Sequence, residues 1–150
     1  MIFRFEKRVK DEAGTSEIAS EFADKLAEGD VVALEGNLGC GKTFFVKRVC
    51  EKFGIASAGS PSFSIVNQYQ NSHSINHFDF YRIKKEEELY DIGFDEYLNE
   101  EESITFIEWA DMFPLLLPSS HYKVKFDILN ETERIIRITK NEQHFPDTID

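Results

Sequence analysis

The chain has few cysteines, and its histidines lack metal-binding patterns. Its 150 residues include two cysteines, Cys40 and Cys50, and a helix joining them would hold them about 15 Å apart. Because that distance is too large for a disulfide, we expect both thiols to be free. The four histidines have no HExxH or CxxC pattern around them, so a zinc site is not predicted.

The sequence also lacks a long hydrophobic run. No apolar stretch approaches the roughly 18 residues that a membrane-spanning helix needs. The first ten residues, MIFRFEKRVK, alternate apolar and charged side chains as a β-strand does, unlike the apolar stretch of a signal peptide. We therefore expect no membrane span, no signal peptide and a cytoplasmic location.

Basic residues are outnumbered by acidic ones. The chain has 17 Lys and Arg against 28 Asp and Glu, a net charge of -11. Proteins that bind nucleic acid unaided neutralise its phosphates with Lys and Arg. The composition therefore argues against direct nucleic-acid binding, and a role with RNA would require a basic partner protein.

Apolar and aromatic residues are present in the amounts that a folded core requires. They include 14 phenylalanines, and hydrophobic residues make up 41% of the chain. A chain of this length is typical of one domain. We predict a single domain over residues 1–150, in which the polar tail at about 141–150 is loosely attached.

The order of the hydrophobic patterns predicts an α/β fold. The run VVALE at 31–35 is typical of a buried parallel strand, and apolar residues at helical spacing predict a helix over 42–53. A second buried strand, SITFIEW, ends near Glu108. A helix is predicted at about 16–28, with Thr15 or Ser16 as its N-terminal cap. The remaining predictions are a hairpin formed by 60–69 and 73–82, short exposed helices at 84–102, and a closing antiparallel pair at 121–129 and 133–140.

A glycine-rich segment separates the first predicted buried strand from the helix that follows. This segment, Gly36–Thr43 (GNLGCGKT), is called the glycine loop below. It matches GxxxxGK[ST] at every fixed position and has the strand before it and the helix after it that this motif requires. Glycine lets the backbone curl with its N–H groups pointing at a phosphate, where a Cβ would obstruct.

The glycine loop therefore predicts a site for a nucleoside triphosphate with magnesium. The N-terminus of the following helix adds positive potential. Lys42 is expected on the β- and γ-phosphate oxygens, and the Thr43 hydroxyl on Mg²⁺. The candidate nucleotide-binding residues of the loop are Asn37, Leu38, Gly39, Cys40, Gly41, Lys42 and Thr43.

Two acidic residues are candidates to complete the magnesium site. Asp79 lies in INHFDFYR and Glu108 in ITFIEWAD, each near the end of a predicted strand. Glu108 follows the more apolar run, whereas the alternation around Asp79 indicates a strand with one wetter face. The pattern does not rank them, and either could be an ordinary surface carboxylate.

Four motifs in order resemble those of the TsaE family, also called YjeE, the small P-loop ATPases of bacterial tRNA threonylcarbamoyladenosine modification. They are LEGNLGCGKTFFV, SPSFSIVNQY, HFDFYR and FIEWAD, which are similar to the family's nucleotide loop and its SPTF-type, HxDxYR-type and IEW segments. The resemblance covers most of the chain. It implies a P-loop NTPase-like mixed parallel and antiparallel sheet flanked by helices.

The resemblance also implies a function and a set of site residues. Thr43, Asp79 and Glu108 would surround magnesium, Lys42 would contact the phosphates, and Trp109 would lie beside the site. We expect Lys42 and Glu108 to act in catalysis, with Glu108 as the preferred residue to activate water. ATP rather than GTP, and the partner proteins TsaD and TsaB, are expected on the family's account, and tRNA only indirectly through that complex.

The chain departs from the family pattern at two positions. Asn37 stands where the family usually has Asp, so a carboxylate role in the loop is not expected here. Ser62 stands where Thr is usual; its hydroxyl could still contact the nucleotide, or Ser60–Ser62 could be only a turn. Without the family, Trp109 would be assigned to packing. Arg82 could contact the phosphates or pair with the acidic 86–102 surface, and the ion pair is the preferred of the two.

Two other functions use the same loop. A small-molecule kinase needs an acceptor pocket and usually a lid that carries arginine, but the candidate insertion at 84–102 contains none. A nucleotide-switched binding module would bind ATP or ADP without turnover and change its affinity for a partner.

Overall fold

Seven strands form one mixed sheet in the computed structural model, which describes residues 2–56 and 65–141. The spatial order is β1-β7-β6-β2-β5-β4-β3. The strands are β1 (Ile2–Val9), β2 (Val31–Glu35), β3 (Val66–Gln70), β4 (Ser74–Asp79), β5 (Ser103–Glu108), β6 (His121–Ile128) and β7 (Arg134–Asn141). The helices are α1 (Glu12–Ala23), α2 (Lys42–Lys52), α3 (Glu87–Asp91) and α4 (Phe94–Leu98), with 3₁₀ turns at Phe80–Arg82, Ala110–Met112 and Pro114–Leu116.

The centre of the sheet is parallel and its two sides are antiparallel. Strand β2 pairs in parallel with β5 and β6, and β4 pairs in parallel with β5. The pairs β3 with β4, β6 with β7, and β7 with β1 are antiparallel. The predicted mixed sheet flanked by helices is thereby confirmed, as is the closing antiparallel pair. The predicted hairpin is confirmed where β3 pairs with β4; its second strand ends at Asp79, since Phe80–Arg82 form a 3₁₀ turn, and residues 60–64 lie outside the described part of the chain.

Helices cover both faces of the parallel strands. On one face α1 and α2 bury Phe22, Phe45 and Val49 against Leu34 and other β-strand residues, which we call the first core. On the other face the α3–α4 segment and the turns after β4 and β5 form the second core, around Phe78. Burial on both faces explains why β2 is apolar along nearly its whole length.

Three expectations are corrected by the structure. The helix predicted at about 16–28 is α1, Glu12–Ala23, because the Asp11 carboxylate accepts the Gly14 N–H at 3.0 Å and caps the helix earlier than Thr15 or Ser16 could. The 84–102 segment is not only an exposed acidic surface, since Leu89 and Phe94 are buried in the second core.

The third correction concerns β4, which has no wet face. Asn76 and His77 are both 0% exposed. The Asn76 side chain accepts a hydrogen bond from Gln68 at 3.2 Å, and the His77 ring contacts a buried carboxylate described below. Polar alternation here therefore reflects hydrogen bonds to neighbouring strands rather than contact with water.

Several expectations fall outside the described residues. They include the pattern around Ser60–Ser62, with the candidate Ser62, and the tail beyond Asn141.

Both cysteines are free and buried. Burial, with a smaller effect of Glu51, raises the pKa of the Cys50 thiol to about 12. Within the described part of the chain, none of the helices has the length and hydropathy needed to cross a membrane.

Candidate functional site

The glycine loop joins the end of β2 to the start of α2. A Cβ on Gly36 would lie 2.6 Å from Cys40 Sγ, closer than these atoms can approach, and in a tight contact of 3.0 Å with the Phe126 carbonyl oxygen. Gly41, which precedes α2, has a φ of 108°, a conformation that favours glycine. The loop therefore curls tightly over the Cys40 side chain. Gly36 is needed because there is no room for a Cβ, and Gly41 because of its backbone conformation.

Lys42, the first residue of α2, is turned back onto the loop that precedes it. Its Nζ donates to the carbonyl oxygens of Gly36 at 2.6 Å and Asn37 at 3.1 Å. The same ammonium lies 4.1 Å from the centroid of the Trp109 ring, within the range of a cation–π contact. The side chain is buried, so its charge is held by main-chain oxygens and by the ring.

The side chains of Thr43, on α2, and Glu108, on β5, are in contact on the face of the sheet that carries the first core. The Thr43 hydroxyl lies 2.9 Å from Glu108 Oε1 and 3.0 Å from Oε2. His77 Nε2 lies 2.6 Å from the same Oε2. Glu108 is only 3% exposed, so this carboxylate is compensated inside the protein by two donors rather than by water.

Asp79 lies beside Glu108 because the two residues are register partners on β4 and β5. Burial, followed by the negative charge of Glu108, raises the pKa of the Asp79 carboxyl. The Tyr81 N–H, Arg82 and His77 act in the opposite direction. Two acids in one buried place repel each other, and a bound cation would relieve that repulsion.

Trp109 follows Glu108 in an unusual backbone conformation. Among the described residues it is the non-glycine residue with a positive φ, 59°, which is uncommon for a bulky side chain. Its backbone N–H donates to the Leu34 carbonyl oxygen at 3.1 Å, and its ring packs against the Tyr81 ring with centroids 4.8 Å apart and planes tilted by 40°. The left-handed residue therefore turns the chain sharply and holds the indole over Lys42.

Arg134 at the start of β7 supports the glycine loop from outside. Its Nε donates to the Cys40 carbonyl oxygen at 3.2 Å and its Nη2 lies 3.5 Å from the Gly39 carbonyl oxygen. In a trans peptide the carbonyl and the next N–H point in opposite directions. Holding the Cys40 carbonyl toward Arg134 therefore turns the Gly41 N–H toward the other side of the loop.

A cavity of about 770 Å³ opens over these residues. It is lined by the glycine loop, the start of α2 and the segments after β4 and β5: Leu38, Gly39, Gly41, Lys42, Thr43, Phe44, Asp79, Tyr81, Arg82, Lys84, Glu108 and Trp109. A second cavity of about 370 Å³ borders the same loop and is also lined by the start of α1, Glu131, Thr132 and Arg134.

The predicted site residues are brought together with few exceptions. Lys42, Thr43, Asp79, Glu108 and Trp109 surround the larger cavity, and Leu38 is exposed at the tip of the loop. Asn37 contributes its carbonyl oxygen to the Lys42 ammonium rather than lining that cavity. Arg82 pairs with Asp79 at 3.6 Å instead of with the acidic 86–102 surface.

Two residues of the site were missed by sequence reasoning. His77 lies within the HFDFYR motif, but the histidines were judged by metal-binding spacing, which says nothing about a bond to a distant strand. Arg134 lies 94 positions after Cys40. No local pattern indicates a contact across such a separation, because it depends on β7 lying two strands away from β2 in the sheet.

The donor set is suited to magnesium bound together with phosphates. Asp79, Glu108 and the Thr43 hydroxyl offer the oxygen ligands that this cation prefers. Within residues 2–56 and 65–141 no group of three or more His, Cys, Asp or Glu side chains is arranged to hold a metal. A cation here would therefore share its coordination with phosphate oxygens and water, as Mg²⁺ commonly does.

Comparison with known proteins places this arrangement in a family. The model of the family described as "Threonylcarbamoyl adenosine biosynthesis protein TsaE" matches residues 9–136. A protein of Rickettsia felis named tRNA threonylcarbamoyladenosine biosynthesis protein TsaE is 35% identical over 136 residues, 89% of this chain and 78% of the relative. The Bacillus subtilis protein of the same name is 35% identical over 127 residues, 83% of this chain and 78% of that protein.

A solved structure has the same fold. The crystal structure of Bacillus subtilis YdiB superposes with a TM-score of 0.79 at 29% sequence identity, covering 93% of this chain and 87% of that one.

Proposed function

The chain belongs to the TsaE family, and from this we propose that it is a magnesium-dependent P-loop ATPase that serves tRNA N6-threonylcarbamoyladenosine modification. The observation that carries the ATPase proposal is the contact of Thr43 with Glu108 directly after the glycine loop. A loop motif alone indicates phosphate binding. A hydroxyl from its end and a buried carboxylate from the neighbouring strand are also the parts that hold magnesium on a triphosphate.

The proposed nucleotide contacts follow from the loop. Main-chain N–H groups of the glycine loop and the N-terminus of α2 would bind the phosphates. Lys42 would leave the carbonyl oxygens of Gly36 and Asn37 and place its ammonium on the phosphate oxygens. The Lys42 ammonium would exchange carbonyl oxygens for phosphate oxygens, so its buried positive charge would keep hydrogen-bond acceptors in both states.

Thr43, Asp79 and Glu108 are the residues proposed to hold magnesium. When bound, this cation would neutralise charge on the phosphates during transfer to water. Glu108 is the preferred residue to activate the water, although its contact with Thr43 also suits a ligand of the cation. Replacement of Glu108 by Gln separates these roles, because a lost base lowers turnover while a lost ligand weakens magnesium-dependent binding.

We place the nucleoside in the second cavity. It borders Gly39 and Gly41, and its lining does not include Asp79 or Glu108; its volume of about 370 Å³ is within the range of small-ligand pockets. Phosphates on the glycine loop would then lie between a nucleoside on one side and magnesium on the other. ATP rather than another triphosphate is proposed on the family's account.

The proposed partners are the TsaD and TsaB proteins, with tRNA reached only through their complex. The net charge of -11 disfavours direct contact with a phosphate backbone. It suits docking on a basic protein surface. The cytoplasmic location expected from the sequence is part of the same proposal.

The kinase alternative is disfavoured by the packing of the 84–102 segment. Leu89 and Phe94 anchor α3 and α4 in the second core, whereas a kinase lid must be free to bring an arginine to the transferred phosphoryl group. The nucleotide-switched binding module uses the same contacts as the ATPase. Only a measurement of turnover distinguishes the two.

Phosphate release from ATP tests the proposed activity. The purified protein is assayed with ATP and Mg²⁺, alone and with TsaD and TsaB, with the Lys42→Ala variant as control. We expect saturable release that requires Mg²⁺ and is lost in the variant. Binding of ATP without any release, with or without the partners, would favour the binding module, and transfer of the γ-phosphate to a metabolite would favour the kinase.

A further inference from the structure

The buried contact between His77 and Glu108 has no part in the roles proposed so far. His77 lies on β4 two residues before Asp79, so both side chains face the first core, as Glu108 does from β5. The His77 ring is 0% exposed. Its Nε2 lies 2.6 Å from Glu108 Oε2, and its neighbours on this face include Ile75 and Phe106.

The chemistry of the pair fixes which atom donates. An ionised Glu108 carboxylate can only accept hydrogen bonds, so Nε2 of His77 must carry the proton. On the opposite side of the ring, Nδ1 lies 3.4 Å from the Tyr69 hydroxyl. The imidazole is thus held between β3 and β5, and its donor points at one oxygen of Glu108.

This donor distinguishes the two carboxylate oxygens, which Thr43 does not. The Thr43 hydroxyl lies 2.9 Å from Oε1 and 3.0 Å from Oε2, so its contact alone is compatible with rotation of the carboxylate. His77 contacts only Oε2. The histidine therefore restricts the rotation of the carboxylate, while Oε1 keeps its contact with the Thr43 hydroxyl.

We propose that His77 is a positioning residue, whose Nε2–H orients the Glu108 carboxylate and thereby sets the affinity of the nucleotide-bound site for magnesium. The inference rests on the proposed magnesium-dependent nucleotide site. Partners that orient metal ligands typically change metal affinity about 10- to 100-fold when removed. Because His77 does not reach the glycine loop, its loss should leave magnesium-free nucleotide binding unchanged.

Two substitutions of similar polarity separate positioning from packing. The side-chain nitrogen of Gln reaches as far as Nε2 of histidine, whereas that of Asn reaches only as far as Nδ1. The His77→Gln variant therefore keeps a donor for Glu108, and the His77→Asn variant does not. Both variants remove the ring, so a role in packing alone would affect them alike.

The test is a calorimetric titration of Mg²⁺ into each protein saturated with AMP-PNP, an ATP analogue that is not hydrolysed, with binding of AMP-PNP in EDTA measured separately. We expect the Mg²⁺ concentration at half-saturation to rise about 10-fold or more in His77→Asn and to stay within about twofold in His77→Gln, with unchanged affinity in EDTA. Equal impairment of both variants, or an unchanged value in His77→Asn, would overturn the positioning role.

Nitrogen NMR of the unaltered protein tests the same contact without a substitution, and it decides the matter if the variants do not fold. We expect a protonated Nε2 on His77, and a ring protonated only at Nδ1 would overturn the proposal. Failure of the unaltered protein to bind AMP-PNP at all would overturn the proposed function as well. If instead the unaltered protein binds AMP-PNP but the two His77 variants show the same Mg²⁺ affinity, only the positioning role is overturned.

Discussion

Asp79 and Glu108 are register partners on adjacent parallel strands, and both carboxyl groups are buried. The like charge of Glu108 adds to burial in raising the pKa of Asp79. Because folding raises the pKa of this carboxyl, its ionisation lowers the stability of the folded protein. Its destabilising effect is absent at pH values below the ordinary pKa of an aspartate and is complete above the raised pKa.

The Asp79→Asn variant should therefore be more stable than the unaltered protein at pH 7. Asparagine keeps an oxygen for the Tyr81 N–H, which Asp79 accepts at 3.1 Å, and removes the repulsion. The measurement is the thermal unfolding midpoint in EDTA between pH 3 and pH 7. A gain at pH 7 that disappears toward pH 3 is expected, and a lower midpoint at pH 7 would show that the pairing with Arg82 outweighs the repulsion.

The Glu108→Gln variant should lose turnover and keep nucleotide. Removing a catalytic acid or base usually lowers the rate about 100-fold or more, and the proposed site loses a magnesium ligand as well. Binding of ATP in EDTA should be unchanged, because the glycine loop and Lys42 are intact. Phosphate release measures the turnover, and calorimetry measures the binding of ATP. Full turnover in this variant would contradict the assignment of Glu108.

Lys42→Ala should weaken ATP binding at least about tenfold, which corresponds to about 1.4 kcal/mol, and should abolish turnover. The reason is the loss of the ammonium proposed to move from the Gly36 carbonyl oxygen to the phosphates. Lys47→Ala is the matched control, since Lys47 lies on the same helix but outside both cavities. An equal loss in the two variants would indicate an effect of net charge rather than of a specific contact.

The fluorescence of Trp109 should report nucleotide binding. It is the one tryptophan in the sequence, and the Lys42 ammonium lies 4.1 Å from its ring centroid. Transfer of Lys42 to phosphate would change the surroundings of the indole, so ATP should alter the emission in a saturable way. The change should be much reduced in Lys42→Ala, and an identical response in that variant would show that the signal does not come from the lysine.

The central strands and the main parts of the site could be predicted because their signals are local. The apolar run of β2, the spacing of the glycine loop and the first turn of α2 are contiguous in the sequence. The start of α1 was placed too late because Thr15 and Ser16 are also good helix caps. The sequence does not show that Asp11 reaches the Gly14 N–H first.

The remaining features depend on which strands are neighbours. Asp79 and Glu108 could be proposed separately, but neither could be ranked, since their shared role follows from the pairing of β4 with β5. The same pairing buries His77 against Glu108, so the alternating polar residues of β4 lie in the interior rather than at the surface. Leu89 and Phe94 looked like part of an acidic surface because the residues around them are charged, while their own side chains point into the second core.

Arg134 should hold the glycine loop in the shape that binds phosphate. The Arg134→Ala variant loses the hydrogen bond to the Cys40 carbonyl oxygen at 3.2 Å, and we expect ATP binding in EDTA to weaken several-fold. Arg137→Ala is the control, because Arg137 lies on the same strand but pairs with Glu6 and Asp127 at the surface. Similar affinities in the two variants would mean that the loop keeps its shape without Arg134.

We propose that the glycine loop binds a nucleoside triphosphate and that Asp79 and Glu108 add magnesium to it. Calorimetric titration of the unaltered protein with ATP, in EDTA and then with Mg²⁺, tests this most directly. We expect saturable binding of one ATP per chain, strengthened by Mg²⁺ in the unaltered protein but not in a variant carrying both Asp79→Asn and Glu108→Gln. Absence of ATP binding under both conditions would contradict it.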